Sequence, residues 1–341
     1  MKKYTKWLIS LMLCMSLVVS AAGCSTGTAN ETKEGEIVLT DQAGREVKLA
    51  APAEKIVSCY YITTYACIAL GLEDKLVGIE SKADTRPIYG MAAPELLELP
   101  GVGTLKEFNV EAAAAAGPDL VIMPKKLQDS AEALEELGIS VLIVYPESQE
   151  LLEEMLTLIG QACGVEEKAE ELKAYYQAAD EELLTYAGEG EKPAVYMAGV
   201  SSYMNTAPDS MYQADMIRRA GGENAASGLE GDYWAEVSYE DILQMDPDVM
   251  IVPSNAEYSV DDILNDAELS DVTAVKNGAV YQMPKGIEEW DSPVPSGILG
   301  IRWLCSVLHE DAYSLEDMKA DAVEFYDTFY QFQLDESLIT K

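Results

Sequence analysis

Hydrolysis or group transfer needs a nucleophile held against a base, and this 341-residue sequence offers little from which to build that pair. His309 is the single histidine, set in Leu308-His309-Glu310 near the end of a helical stretch. Every Ser-His-Asp or Cys-His arrangement therefore depends on it. The same shortage excludes a His-rich zinc or manganese centre, while a Tyr and carboxylate iron site stays open. Of the six cysteines, Cys14 and Cys24 lie near the start. Cys59, Cys67, Cys163 and Cys305 are scattered, with neither CxxC spacing nor a disulfide framework. Cys59 and Cys67 could pair, but burial as small hydrophobes is the simpler expectation. No GxGxxG or Walker loop occurs, so no nucleotide cofactor is implied.

What remains is recognition. The chain holds 23 Lys+Arg against 60 Asp+Glu, a formal net charge of −37. Such a surface repels nucleic acid and anionic headgroups, and any cation lining a pocket becomes a minority feature with a local task. In an α/β protein the binding cleft lies at the carboxyl ends of the strands. Tyr60, Tyr61 and Tyr65 follow the first apolar strand, and Lys125 and Lys126 follow the third. Tyr203 follows the first strand of the second half, Tyr233-Trp234 lies in a later loop, and Trp290 follows the last strand. Their aromatic faces suit a large, flat or greasy ligand; covering the edge of a core explains them equally. Arg86, Lys125, Lys126 and Lys285 are candidate partners for an anionic ligand, or for surface carboxylates. Arg218-Arg219 sits at a helix end, where compensation of the dipole suffices.

The elements that position these residues come from a repeat. Asn109-Val110-Glu111 leads through Pro118-Asp119 into an apolar run at 120–123, and Ser238-Tyr239-Glu240 leads through Pro247-Asp248 into one at 249–252. Each copy reads as a short capped helix, a break at Pro, and a strand buried on both faces. Two copies imply two lobes built alike. A hairpin is expected over 37–41 and 45–49. Strands are expected at 55–59, 76–80 and 141–145, with helices at 60–71 and 127–137. Helices at 149–159 and 166–186 then join the halves, the second spanning about 30 Å as a stiff spine. The second half continues with strands at 194–198 and 280–283 and helices at 210–220, 260–265, 298–308 and 315–332. The fold class is thus α/β. The boundaries are 36–146 for the N-terminal lobe, 147–187 for the linking helical segment and 188–341 for the C-terminal lobe.

The first residues belong to neither lobe. Lys2, Lys3 and Lys6 precede an apolar run over 8–22, too short to span a bilayer comfortably and laid out as a secretory signal. It ends in Ala21-Ala22-Gly23-Cys24, which resembles a bacterial lipobox. Residues 1–23 are read as a lipoprotein signal peptide, Cys24 as the lipid attachment point and 24–35 as a flexible tether. The anchor is covalent because the mature surface is too acidic for electrostatic attachment. The protein is placed outside the cytoplasm, tethered to the membrane.

Further motifs occur in order: Asp41-Gln42-Ala43-Gly44-Arg45, Leu99-Pro100-Gly101-Val102-Gly103, Gly221-Gly222-Glu223-Asn224 and Val275-Lys276-Asn277-Gly278-Ala279-Val280-Tyr281. With the repeat and the lipobox they make the mature chain similar to the substrate-binding lipoproteins of ABC importers for iron–siderophore, haem and cobalamin, the helical-backbone periplasmic-binding-protein-2 family. The resemblance implies two Rossmann-like lobes joined by one long helix, a ligand cleft between them, limited hinge motion and no catalysis. It implies a monomer that captures a metal chelate and hands it to a permease with its ATPase. Cobalamin or a molybdate-type oxyanion is the alternative ligand. An enzyme of nitrogenase-like fold is the alternative of another class, disfavoured by the cysteine spacing. Tyr60, Tyr61, Arg86, Lys125, Tyr203, Trp234 and Trp290 are the expected ligand contacts. The resemblance also implies that Glu111 and Glu240, one per lobe, meet basic sockets on the permease. Placement in a helix's first turn accounts for both without any partner.

Overall fold

Alternating strand and helix signals become two four-stranded parallel sheets with the same strand order. A computed structural model describes residues 35–188, 190–231 and 233–341. The expected signal segment 1–23, Cys24 and nearly all of the tether lie outside the described residues.

A hairpin of β1 (Ile37–Thr40) and β2 (Glu46–Leu49) opens the chain. The first sheet follows: β3 (Ile56–Ser58), helix α1 (Tyr61–Ala69), β4 (Leu76–Gly78), then α2 (Pro87–Ala92) and α3 (Val110–Ala115), β5 (Leu120–Pro124), α4 (Ala131–Glu135) and β6 (Ser140–Val144). Its order is β4-β3-β5-β6. Helices α5 (Gln149–Cys163) and α6 (Glu166–Ala187) come next, with Gly164 at φ 71° making the break between them. The second sheet contains β7 (Ala194–Met197), β9 (Glu223–Asn224), β11 (Val249–Val252) and β12 (Val280–Gln282), ordered β9-β7-β11-β12. Between its strands lie β8 (Asn205–Thr206) and β10 (Ala235–Glu236), paired antiparallel, and helices α7 (Tyr212–Arg219), α8 (Tyr239–Met245), α9 (Val260–Leu264) and α10 (Thr273–Asn277). Helices α11 (Gly297–Leu308) and α12 (Leu315–Phe329) close the chain.

Strand periodicity shows why the apolar runs carry no polar alternation. Ile56, Leu120, Ile122, Leu142 and Val144 join one core, while Val57, Val121, Met123, Val141 and Ile143 join another on the opposite face. In the second sheet Val195, Met197, Val249 and Ile251 belong to the first of these cores, and Tyr196, Met250 and Val252 to a third. The inner core is therefore continuous through both sheets. Leu172, Tyr176, Ala179 and Leu183 of α6 belong to it, and α6 packs on α5, α7 and α11. A 22-residue helix, about 33 Å long, anchored along its length in shared core resists bending.

The repeat has a structural use that its sequence did not disclose. Asp119 accepts the N–H groups of Glu54 and Lys55 at the start of β3 (3.1 and 3.0 Å), and Asp248 accepts that of Ala194 at the start of β7 (2.8 Å). Each Pro-Asp pair thus pins one strand to its neighbour, twice, at equivalent places. The four cysteines are buried and unbridged, as expected for small hydrophobes.

Several boundaries differ from expectation. The segment expected as one helix over 127–137 is a 3-10 stretch, Lys125–Ser130, followed by the short α4. The final helix stops at Phe329 rather than 332. Helix α2 begins on Pro87, whose missing N–H is harmless at a first turn. The β8–β10 pair escapes sequence reading because two-residue strands carry no periodicity.

A cationic cleft at the carboxyl ends of the first sheet

Two adjoining cavities lie where β3, β4, β5 and β6 end. The larger, about 490 Å³, is lined by Tyr60, Ile62, Leu105, Pro124, Lys125, Lys126, Tyr145, Glu147 and Tyr233 among others. The second, about 400 Å³, is lined by Cys59, Tyr60, Tyr61, Glu80, Ser81, Lys82, Thr85, Arg86, Thr104 and Lys106 among others. Tyr60 and Leu105 border both, so the cavities share a wall. Tyr233 is the contribution of the second half, and its ring is exposed.

Local sequence explains each placement. The β3 strand ends at Ser58, and Tyr60 takes the extended N-cap position of α1, so its side chain turns into the opening. Tyr61, Tyr65 and Tyr89 continue a row of edge-to-face rings with centroids 4.5 to 5.6 Å apart. Lys125 and Lys126 leave β5 after Pro124, and the Lys125 ammonium sits 4.8 Å above the Tyr145 ring. Lys82 follows β4 with φ 69°, an uncommon conformation for a side-chain-bearing residue. Arg86 caps the turn before α2 and lays its guanidinium 4.3 Å from the Tyr61 ring centroid.

Charge is unevenly distributed here. Five cations, Lys82, Arg86, Lys106, Lys125 and Lys126, line the two cavities against two carboxylates, Glu80 and Glu147. Burial raises the pKa of both carboxyls. Glu80 is further engaged by the Tyr89 hydroxyl and by Thr64 Oγ1 at 2.7 Å. Among the described residues no ion pair involves Lys82, Lys106, Lys125 or Lys126. In a chain with 60 Asp+Glu, a lining with more cations than carboxylates is a local departure from the overall charge. Among the described residues no group of three or more His, Cys, Asp or Glu is arranged to hold a metal ion.

Of the seven expected contacts, Tyr60, Tyr61, Arg86 and Lys125 line the cavities. Three do not. Trp290 follows the last strand as expected, but its side chain is 1% exposed and its indole N–H donates to Tyr326 Oη at 2.9 Å. In this structure it is a core residue that lines neither cavity. Tyr203 donates to Asp266 at 2.9 Å and packs on Tyr258, away from both cavities. Trp234 is half-buried against the core, and its neighbour Tyr233 is the residue that reaches the larger cavity. Tyr145, Lys82 and Lys106 went unnoticed. The rule that selects Lys125, a cation just beyond a strand's carboxyl end, also selects Lys82.

Glu111 and Glu240 are both exposed, each the second residue of its helix. Asn109 accepts from Ala112 N, and Ser238 forms a full capping box with Asp241.

A family model for periplasmic binding proteins matches residues 56–286. The chain belongs to this family. It is similar to the molybdate-binding protein of Haemophilus influenzae, at 23% identity over 93% of this chain and 97% of that protein. An uncharacterized ABC transporter substrate-binding lipoprotein of Bacillus subtilis is 26% identical over 86% of this chain and 95% of its own. Among solved structures, a periplasmic solute-binding protein from Veillonella parvula superposes with a TM-score of 0.77 at 27% identity, covering 89% of this chain and 95% of that one. The chain is a substrate-binding protein of the ABC importer type rather than an enzyme. Among the described residues no helix is long and apolar enough to cross a membrane.

Proposed function

We propose that this protein captures an anionic metal chelate, an iron–siderophore or haem, between its lobes and delivers it to an ABC permease. In this reading Cys24 carries the lipid that tethers the protein, as a monomer, to the outer face of the cell membrane. Glu111 and Glu240 are its two docking points. The cluster of five cations around aromatic rings, in a protein of net charge −37, carries the proposal. Lysines supply charge to a polyanionic chelate, and Tyr60, Tyr145 and Tyr233 supply faces for its planar parts. Each cavity volume falls in the range that encloses a drug-sized ligand.

A molybdate-type oxyanion is the second reading, favoured by the likeness to the Haemophilus influenzae protein. The cavities offer far more room than a four-oxygen anion fills, and the aromatic lining would have no role with it. Cobalamin, bulky and weakly charged, makes poor use of the lysines.

The Lys125→Gln, Lys126→Gln double variant tests the charge argument. It is expected to bind ferric tris(catecholate), a trianion, about 100-fold more weakly than wild type, on the basis of about 1–3 kcal/mol per charged hydrogen bond. Unchanged affinity for the trianion would contradict the assignment.

A further inference from the structure

Arg86 lines the second cavity and faces a carboxylate from behind its wall, and this inference rests on the proposed ligand being anionic. Arg86 has a side chain 23% exposed and a guanidinium stacked on Tyr61. Its Nε is buried and makes no hydrogen bond among the described residues. One carboxylate lies within 4 Å of it among those residues: Glu289 Oε1, at 3.8 Å, beyond hydrogen-bonding range. Glu289 comes from the other half of the chain, out of the loop between β12 and α11. The other nearby acid, Glu80, already accepts from Tyr89 and Thr64.

Glu289 reaches this place on a fixed support. Its neighbour Glu288 accepts the hydroxyls of Tyr326 and Tyr330 at 2.7 and 3.1 Å. Trp290 is tied to Tyr326, and the Asp291 carbonyl accepts from Gln213 Nε2 at 2.7 Å. Glu289 Oε2 accepts from the Tyr65 hydroxyl at 3.2 Å, and Ser292 Oγ accepts from Tyr61 at 3.2 Å. The contacts made by Tyr61, Tyr65 and Arg86 therefore join the two halves at the wall of the cation-lined cavity.

We propose that Glu289 is a built-in competitor that holds Arg86 until an anionic group of the ligand takes its place. The pair is close enough to neutralise charge and too long to satisfy the buried Nε. A ligand oxyanion entering the cavity can bond the guanidinium's other N–H groups, draw it off Glu289 and so displace the carboxylate. Glu289 thus sets a threshold of negative charge that a ligand must bring, and it disfavours neutral ligands of similar shape. Because Glu289 belongs to the second half, its release also links occupancy of the cavity to the contact between the halves.

Titrating wild type, Glu289→Gln and Arg86→Gln with ferric tris(catecholate) and with molybdate tests this. Glu289→Gln is isosteric and still accepts from Tyr65; Glu289→Ala is the second variant. Glu289→Gln is expected to bind at least one of these anions about tenfold more tightly than wild type, within the usual range of coupling between sites. In an Arg86→Gln background the same change is expected to do nothing, as a double-mutant cycle requires. A permanent structural ion pair would instead give equal or weaker binding on removal of the carboxylate. If wild type binds an anion and neither Glu289 variant gains affinity, the inference falls alone. If neither anion binds any of these proteins, it falls together with the proposed function.

Discussion

A strain whose only copy carries Glu111→Ala with Glu240→Ala is expected to import no ligand, while the purified double variant binds it as wild type does. The two carboxylates occupy equivalent places in the two lobes, both exposed and both on helices whose N-termini are already capped by Asn109 and Ser238. Since the caps satisfy the helix ends, removal of either Glu costs little beyond a favourable dipole contact. Neither residue lines a cavity in the cleft. In the proposed docking role, one carboxylate per lobe lets a partner read both lobes at once, and the double variant is expected to lose the whole attachment rather than half of it. Uptake of labelled chelate by cells, set beside titration of the purified protein, separates the effects. Normal uptake by the double variant, or loss of ligand affinity, would return both residues to the role of helix-end charges.

The second large effect concerns pH. Burial raises the Glu288 carboxyl to about 7 against the bonds from Tyr326 and Tyr330, and raises Asp291 to about 6. Both groups hold a proton in the folded chain at pH values where the unfolded chain has lost it. Stability from a raised carboxyl is fully present below the unfolded value of 4.5 for Glu288 and is lost as pH rises through about 7. For Glu288 the loss is about 3 kcal/mol, the free energy of lifting a carboxyl from 4.5 to about 7 at about 1.36 kcal/mol per tenfold change in proton affinity. The protein is therefore expected to melt higher at pH 5.5 than at pH 8. Glu288→Gln should melt above wild type at pH 8 and near it at pH 5. Calorimetry across this range checks the sign, and a melting temperature that rose with pH would refute it.

The legible parts of this molecule are those with periodicity or punctuation. Apolar runs such as 120–123 and 249–252 announced strands buried on both faces, Gly164 divided the two linking helices, and the repeat foretold two lobes. The site was legible only as far as chain direction determines it. Tyr60, Arg86 and Lys125 follow strand ends or precede a helix, so their positions were readable. The orientation of Trp290 was not, because an indole in a loop turns toward whichever partner its N–H can find, and that partner, Tyr326, lies in the last helix. The direction of Tyr203 was hidden for the same reason, its hydroxyl bonding Asp266 rather than facing either cavity. Glu289 had no local signal, since its meaning depends on Arg86, distant in sequence and adjacent in space.

The property that decides what this cleft holds is its selection of negative charge. Trp234 is the natural reporter, since Trp290 and Trp303 are buried and Trp234 adjoins the cavity-lining Tyr233. The direct measurement is tryptophan quenching of the mature protein by two ferric chelates of similar size, the trianionic tris(catecholate) and a neutral trihydroxamate. Saturable binding of the trianion, at least tenfold tighter than that of the neutral chelate, is the expected result. Equal binding of the two, or preference for the neutral chelate, would show that the cleft does not select for negative charge.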